Sequence, residues 1–335
     1  MKEKIDFLAI GDTLTDAFIT LENAEVHCDI DNNNCTISMP FGEKIPYKSV
    51  EVLRGVGNAA NAAVAAKRLG IGSSLIATIG DDDEGTKTQE HFKKENIDTS
   101  FLSIQKGINT NYHYVLSYQA ERTILIKHEH YQYELPVSEL NNYDIQTVYI
   151  TSLASGTEPY HKQISDWLHS RPELFVAFQP GTFQMKLGTE KLFDIYKRTN
   201  VFFCNKQEAQ KILNLPDADF PELHNGIRNL GPKIIVITDG PNGMTASDEH
   251  GGYFLPIYPD PKPPVERTGA GDACSSTIAI ALSLGLPLDQ AIMWGPINSM
   301  SVVQYVGAQA GLLTREELET YLKNAPAEYT PKQIW

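Results

Sequence analysis

Four consecutive residues, Gly269-Ala270-Gly271-Asp272, combine two things that group transfer to an alcohol requires. One is a main chain able to cradle negative charge, and the other is a carboxylate able to take up a proton. Glycines at 269 and 271 let a ligand approach the backbone closely. The stretch Ala273–Leu284 that follows reads as a helix stopped by Gly285, with Pro287 opening the next one. A helix starting here aims unpaired N–H groups, and the positive end of its dipole, at whatever occupies the turn. The oxygens of a phosphoryl group in flight carry charge that suits such a place. Asp272 stays ionised near neutral pH at this end of a helix and can accept a hydroxyl proton as the oxygen attacks. Taken alone, the same four residues also fit an Asp N-cap behind a Gly-rich loop, with no chemistry at all.

Further polar residues stand where apolar strands end. Ile5–Ile10 is nearly all apolar, as a strand covered on both faces should be, and it runs into Gly11-Asp12-Thr13-Leu14-Thr15-Asp16. Ligands of parallel α/β sheets gather beyond such strand ends. Asn205 follows apolar Val201–Cys204, with Glu208 one turn later; the pair fits a ligand site or an ordinary N-cap with an acidic first turn. Asn58 and Asn61 share one face of an Ala-rich helix predicted over Ala59–Leu69. Asn61 is a poor helix former, suited either to a ligand or to a solvated surface.

The elements that must hold these groups follow from periodicity. Strands are expected at Ile5–Ile10, Ser74–Ile79, Thr147–Thr151, Leu174–Phe178, Val201–Cys204 and Lys233–Thr238, with helices between them, which implies parallel βαβ units. Helices are expected around Gly85–Glu95 and, through the C-terminal third, at Ala273–Leu284, Pro287–Gly295, Asn298–Val306 and Thr314–Lys323. Residues 17–53 and 105–130 read instead as extended segments with polar turns, including Asp29–Asn34, and are expected to form a small sheet projecting from the main body.

Composition narrows the partners. The chain of 335 residues carries a formal net charge of −14, and no Lys/Arg cluster offers the basic face that nucleic acid or an anionic membrane needs. Acidity does not exclude nucleotides, because backbone N–H groups, helix N-termini and Mg²⁺ hold phosphates. No apolar run is long enough to span a bilayer, and the N-terminus does not read as a signal peptide, so a cytoplasmic protein is expected. Cys28, Cys35, Cys204 and Cys274 match no zinc spacing; Cys28 and Cys35 could pair across a hairpin, but unpaired residues are the expectation for a cytosolic chain. Cys274 is expected to be a small buried side chain.

Taken together the motifs resemble the ribokinase-like, or PfkB, carbohydrate kinases over nearly the whole length. The resemblance rests on Gly11–Asp16, Gly57–Gly70, Ile79–Gly85, Asn205-Lys206-Gln207-Glu208, Thr238–Gly243 and Thr268–Asp272, in the family's order. It implies an α/β fold of three layers, α/β/α, with a mainly parallel central sheet and a small β-sheet lid. The main domain would comprise 1–16, 54–104 and 131–335, and the lid 17–53 and 105–130. It implies transfer of the γ-phosphoryl group of ATP to a hydroxymethyl group of a sugar or nucleoside. Asp272 would be the base, and Gly269, Ala270 and Gly271 the anion hole. Asp12, Leu14, Asp16, Gly57 and Asn61 would meet the acceptor. Asn205, Thr238, Gly240, Gly243 and Asn298 would meet ATP, with Glu208 and Asn205 placing Mg²⁺ through water. A potassium ion near Glu266, where the family usually has Asp, and a homodimer through the lid are implied as well. Arg267 reads as a phosphate ligand or a solvated side chain. Apolar Leu14 is similar to the adenosine-kinase branch and tilts the acceptor towards a nucleoside. His113, Tyr114, Gln119 and Arg122 could contact the acceptor, but exposed hairpin residues are the expectation for them.

Two other classes fit parts of the sequence. Gly55-Val56-Gly57-Asn58-Ala59-Ala60, with Asp81 some way on, satisfies a dinucleotide fingerprint and would suit an NAD(P)-dependent oxidoreductase. It leaves Gly269–Asp272 unexplained. A kinase-like binder of sugars or nucleosides without phosphate transfer is the other, and the intact Asn205, Glu208 and Asp272 argue against it.

Overall fold

A computed structural model describes residues 2–29, 35–118 and 121–335. Gln119 and most of the predicted turn after Asp29 lie outside the described residues. The main sheet runs from Leu102–Gln105 through Ser73–Gly80, Glu3–Ile10, Tyr143–Ile150, Phe175–Phe178 and Val201–Asn205 to Ile234–Thr238, with every neighbouring pair parallel. Three antiparallel strands, Met244–Asp248, Gly251–Leu255 and Lys332–Gln333, extend it at one edge. Sequence periodicity misses this extension, because Gly243, Gly251 and Gly252 dilute the strand signal.

Alternation along the first strand shows why three layers form. Phe7 and Ala9 pack into one core with the Ala-rich helix Asn58–Arg68 and the helix Ala270–Ser283, while Leu8 and Ile10 pack into a second core on the opposite face. Ala59, Ala60 and Ala62 through Ala66, apart from Val64, are alanines buried in the first core. Their small side chains bring the start of one helix beside the start of the other. That packing places Asn61 next to Asp272.

A second sheet has the order Tyr47–Val56, Leu14–Leu21, Tyr112–Tyr118, Glu121–Leu125. Its strands begin at Leu14 and end at Val56, a few residues outside the expected β-rich span, whereas Leu102–Gln105 joins the main sheet. The parallel pairing of Leu14–Leu21 with Tyr112–Tyr118 sets Asp16 beside His113. This sheet packs against the C-terminal loop: a Cβ on Gly307 would lie 2.0 Å from Leu53 Cδ1.

Cys28 and Cys35 are joined by a disulfide, contrary to the unpaired expectation. Their hairpin register seats the two directly opposite each other, so pairing needs no rearrangement. Cys204 and Cys274 are free and buried, and burial pushes the Cys274 thiol up to about 12. The predicted helix Pro287–Gly295 is only Leu288–Ala291, and the next one starts earlier, at Trp294.

A buried histidine gives this fold a pH signature. His224 bonds Ser247 Oγ through Nδ1 (2.7 Å) and Thr245 Oγ1 through Nε2 (2.9 Å). Burial, helped by the Arg228 cation, depresses it to about 3. The unfolded chain binds this proton near pH 6.5 and the folded one does not, so its contribution is present above that pH and is lost as pH falls towards 3. Urea midpoints of His224→Gln are expected to fall less than wild type between pH 7 and 4.5. Equal slopes would count against a buried neutral His224.

Candidate active site

Asp272 stands in the first turn of Ala270–Ser283 with both carboxylate oxygens bound by amides. Asn61 Nδ2 donates to Oδ2 (2.8 Å) and Gln179 Nε2 donates to Oδ1 (3.2 Å). Each amide is itself fixed. Gln309 Nε2 donates to Asn61 Oδ1 (3.0 Å) and to the carbonyl of Gly55 (2.9 Å), and Tyr149 OH donates to Gln179 Oε1. His91 Nε2 meets Gln309 Oε1 at 2.7 Å. Loss of hydration lifts the Asp272 carboxyl above its usual range, and the two amide hydrogen bonds pull it back. The result is a rigidly aimed carboxylate of raised basicity, which is what a general base needs.

The turn before it is open to a ligand at one glycine and closed by packing at the other. Gly269 caps the helix at φ 80°, and a Cβ there would lie 2.2 Å from Ala308 Cβ, so only glycine fits. Gly271 is different: a Cβ there meets nothing within 4 Å. No protein packing requires glycine at 271, but a ligand pressed against the main chain would. Gly271→Val is therefore expected to keep the melting temperature and lose about 10²-fold in kcat/KM for the nucleotide, the scale of a disabled anion hole. Wild-type kinetics in that variant would remove the turn from the site.

A cavity of ≈ 120 Å³ opens onto this turn and is lined by Thr238, Gly240, Gly243, Ala270, Gly271 and Cys274 among others. It shares Gly240, Ala270, Pro296 and Ser299 with a neighbouring cavity of ≈ 350 Å³ that Arg122 and Arg267 also line. Asn298 takes no part. It is fully buried, donates from Nδ2 to Thr277 Oγ1 (2.8 Å) and accepts from the Leu313 N–H (2.9 Å), so its amide serves the core. Its neighbours Pro296 and Ser299 face the cavity instead. Asn205 and Glu208 form a reciprocal capping box, Asn205 Oδ1 accepting from Glu208 N–H and Glu208 Oε2 from Asn205 N–H, both at 2.9 Å. Burial raises the Glu208 carboxyl, and the negative charge of Asp272 adds to this, which places the two acids within one electrostatic field.

Acceptor-side candidates gather where the two sheets meet. Asp16 is raised to about 7, first by burial and then by the like charges of Glu266 and Asp272. Asp12 is raised to about 6 by burial, against hydrogen bonds from Tyr133 OH (2.6 Å) and the Ala154 backbone. Leu14 is buried at the first position of its strand, and Gly57 caps the Ala-rich helix against the Asp12 carbonyl. Asn61, read from sequence as an acceptor contact, instead spends its amide on Asp272 and Gln309. Glu266 Oε1 accepts from Thr268 N–H (2.7 Å) and lies 3.5 Å from Arg122 Nε, while Glu266 Oε2 is buried without a partner in the protein. His113 is buried beside Asp16, but Tyr114 on the opposite face of the strand is exposed.

Sequence reasoning passed over Gln179, Gln309, Tyr149, His128 and Tyr133. The amides and tyrosines carry no motif of their own, since what defines them is contact with residues far away in the chain, from 30 residues for Tyr149 and Gln179 to 248 for Gln309 and Asn61. The dinucleotide fingerprint dissolves in three dimensions: Gly55 ends an antiparallel strand of the smaller sheet, not the first strand of a βαβ unit.

This layout, a helix N-terminus beside an aimed carboxylate at the carboxyl ends of a parallel sheet, is that of a kinase of small alcohols. Residues 27–315 match the model of the pfkB family carbohydrate kinases. A nucleoside kinase of Methanothermobacter thermautotrophicus is 23% identical over 315 residues, covering 93% of this chain and 94% of that one. A ribokinase of Bacillus subtilis is 26% identical over 285 residues, covering 84% and 92%. Among solved structures, the Methanocaldococcus jannaschii nucleoside kinase superposes with TM-score 0.76 at 20% identity, covering 97% of this chain and 100% of that one. The Arabidopsis thaliana ribokinase complexed with ribose and ATP superposes with TM-score 0.78 at 15% identity, covering 96% and 99%. The chain belongs to the pfkB family of carbohydrate kinases, and it is a kinase with the ribokinase fold. Among the described residues no helix is long and apolar enough to cross a membrane.

Proposed function

We propose that the protein transfers the γ-phosphoryl group of ATP to a hydroxymethyl group of a sugar or nucleoside, with Asp272 as the base. The observation that carries this is the pairing of a doubly held carboxylate with an open glycine turn on the same helical start. The nucleotide lies in the cavities between Thr238–Gly243 and Ala270–Gly271, its phosphates against the N–H groups of Gly269, Ala270 and Gly271. Asp272 removes the proton of the attacking hydroxyl, and the helix start stabilises charge on the transferred group. Glu208, with Asn205, would hold Mg²⁺, which when bound would neutralise phosphate charge. The unpaired Glu266 Oε2 is the atom a potassium ion in that loop would meet. Asp12, Leu14, Asp16 and Gly57 line the acceptor side, and the smaller sheet acts as a lid that excludes water. The same sheet exposes Tyr47, Val50, Tyr114 and Leu125, apolar surface that suits a homodimer. A cytoplasmic enzyme is the reading that goes with these substrates.

Apolar Leu14 favours a nucleoside acceptor, whereas the polar cluster around Asp12 pulls the other way. An ADP-release assay over ribose, fructose, 2-keto-3-deoxygluconate, adenosine, cytidine, guanosine and inosine tests the proposal. Release that depends on one of them supports it. ATP bound without acceptor-dependent release would favour the binder instead.

A further inference from the structure

Between the two sheets several buried polar atoms have no hydrogen-bond partner in the protein: Asp12 Oδ2, Asp16 Oδ1, His113 Nε2 and His128 Nδ1. Asp12 is 4% exposed and His113 7%. Unpaired polar atoms this deep are rare and destabilising, so they point to something that completes them. Each carboxylate atom stands close to a histidine nitrogen, and for Asp12 and His128 both atoms of the pair are among those without a partner. Asp16 Oδ1 lies 3.6 Å from His113 Nδ1, and Asp12 Oδ2 lies 3.6 Å from His128 Nδ1. These separations are too long for direct hydrogen bonds. A hydroxyl oxygen that bridges the two atoms from one side, about 2.8 Å from each, can donate to the carboxylate and accept from the imidazole. Burial keeps both rings neutral, leaving each one N–H and one bare nitrogen.

The pairs adjoin one another. The His113 and His128 ring centres are 5.1 Å apart, and the Phe183 ring stands edge-on to His128 at 5.5 Å. Asp16 feels the charge of Asp272, whereas the groups that act on Asp12 are Tyr133 and the Ala154 backbone. On this ground we assign the Asp16 pair to the reacting end of the acceptor and the Asp12 pair to its other end. Among the described residues neither carboxylate has a Lys or Arg partner, so an anionic group brought here would face two acids without compensation.

We propose that Asp12 and His128 form a second hydroxyl clamp beside that of Asp16 and His113. The acceptor would then be an uncharged sugar whose end remote from the reacting hydroxymethyl carries a free hydroxyl, not a base or an acid. This rests on the kinase reading above and adds Asp12, His113 and His128 as specificity-determining residues.

The test compares D-ribose and D-fructose with the anhydro analogue of each that lacks only the anomeric hydroxyl, and with adenosine and 2-keto-3-deoxygluconate. Wild-type kcat/KM is expected to favour the free sugar over its anhydro analogue by about 10–100-fold, the worth of a hydrogen bond to a charged group. Adenosine and 2-keto-3-deoxygluconate are expected to fall at least as far behind. His128→Phe, which keeps a planar ring, should bring the sugar-to-analogue ratio close to one, chiefly through the KM of the free sugar. His128→Gln, which keeps a donor, should restore part of the ratio. ADP release indifferent to the anomeric hydroxyl overturns this inference alone, as does a ratio that survives His128→Phe. No release with any acceptor overturns the kinase reading and this inference with it. Should the ring variant fold poorly, the wild-type comparison decides by itself.

Discussion

Asp272→Asn is expected to lower kcat by about 10²–10⁴, the usual worth of a positioned general base, while nucleotide affinity stays within a few-fold of wild type. The substitution is nearly isosteric. It can still accept from Asn61 or Gln179 on its remaining oxygen, and it does not touch the Gly269–Gly271 turn. Loss of rate with retained ATP binding, read by fluorescence titration, would therefore isolate proton removal from phosphate recognition. The wild-type pH profile should agree in sign. Burial lifts the Asp272 carboxyl, so kcat should fall on acidification earlier than for an exposed carboxylate. A near-normal kcat in the variant would take Asp272 out of the role.

Asp16→Asn is the second large effect, and it should move activity and stability in opposite directions. Asp16 is raised to about 7 because burial and the nearby Glu266 and Asp272 disfavour its charge. A carboxyl raised in the folded state favours folding at acid pH, and that contribution is lost as pH rises through about 7. Without acceptor, the variant should thus be more stable than wild type at pH 8, by roughly 1–3 kcal/mol. Its kcat/KM for the acceptor should drop about 10–100-fold, since an amide cannot replace a charged acceptor facing a hydroxyl. Urea denaturation at pH 5 and 8 together with steady-state kinetics reads both. Lower stability at pH 8 with unchanged kinetics would mean that Asp16 serves the fold rather than the acceptor.

How much of this was legible in the sequence depends on the range of the interaction. Local patterns carried the strands of the parallel sheet, because residues such as Phe7 to Ile10 declare double-sided burial by composition alone. Asn205 and Glu208 were legible as a pair for the same reason: a capping box is a four-residue object. The grip on Asp272 was not. Asn61 and Gln179 converge on one carboxylate from distant stretches of chain, Gln309 fixes Asn61 from a third, and nothing in an isolated glutamine says which neighbour it will meet. Asn298 failed in the opposite way, since its place near a nucleotide loop gave no hint that both ends of its amide tie the helix to the core. The Cys28–Cys35 bond turned on hairpin register, which spacing alone leaves open. The unpaired atoms of Asp12 and His128 are the least legible of all, because a missing partner appears only once every neighbour is in place.

Phosphorus NMR of the wild-type protein with MgATP and D-fructose or D-ribose tests the central claim most directly. The account predicts ADP together with a new phosphate monoester whose resonance is split by the two protons of a methylene group, marking a hydroxymethyl oxygen as the acceptor. An ester on a ring carbon that bears a single proton would contradict it, and so would conversion of ATP to ADP and inorganic phosphate alone.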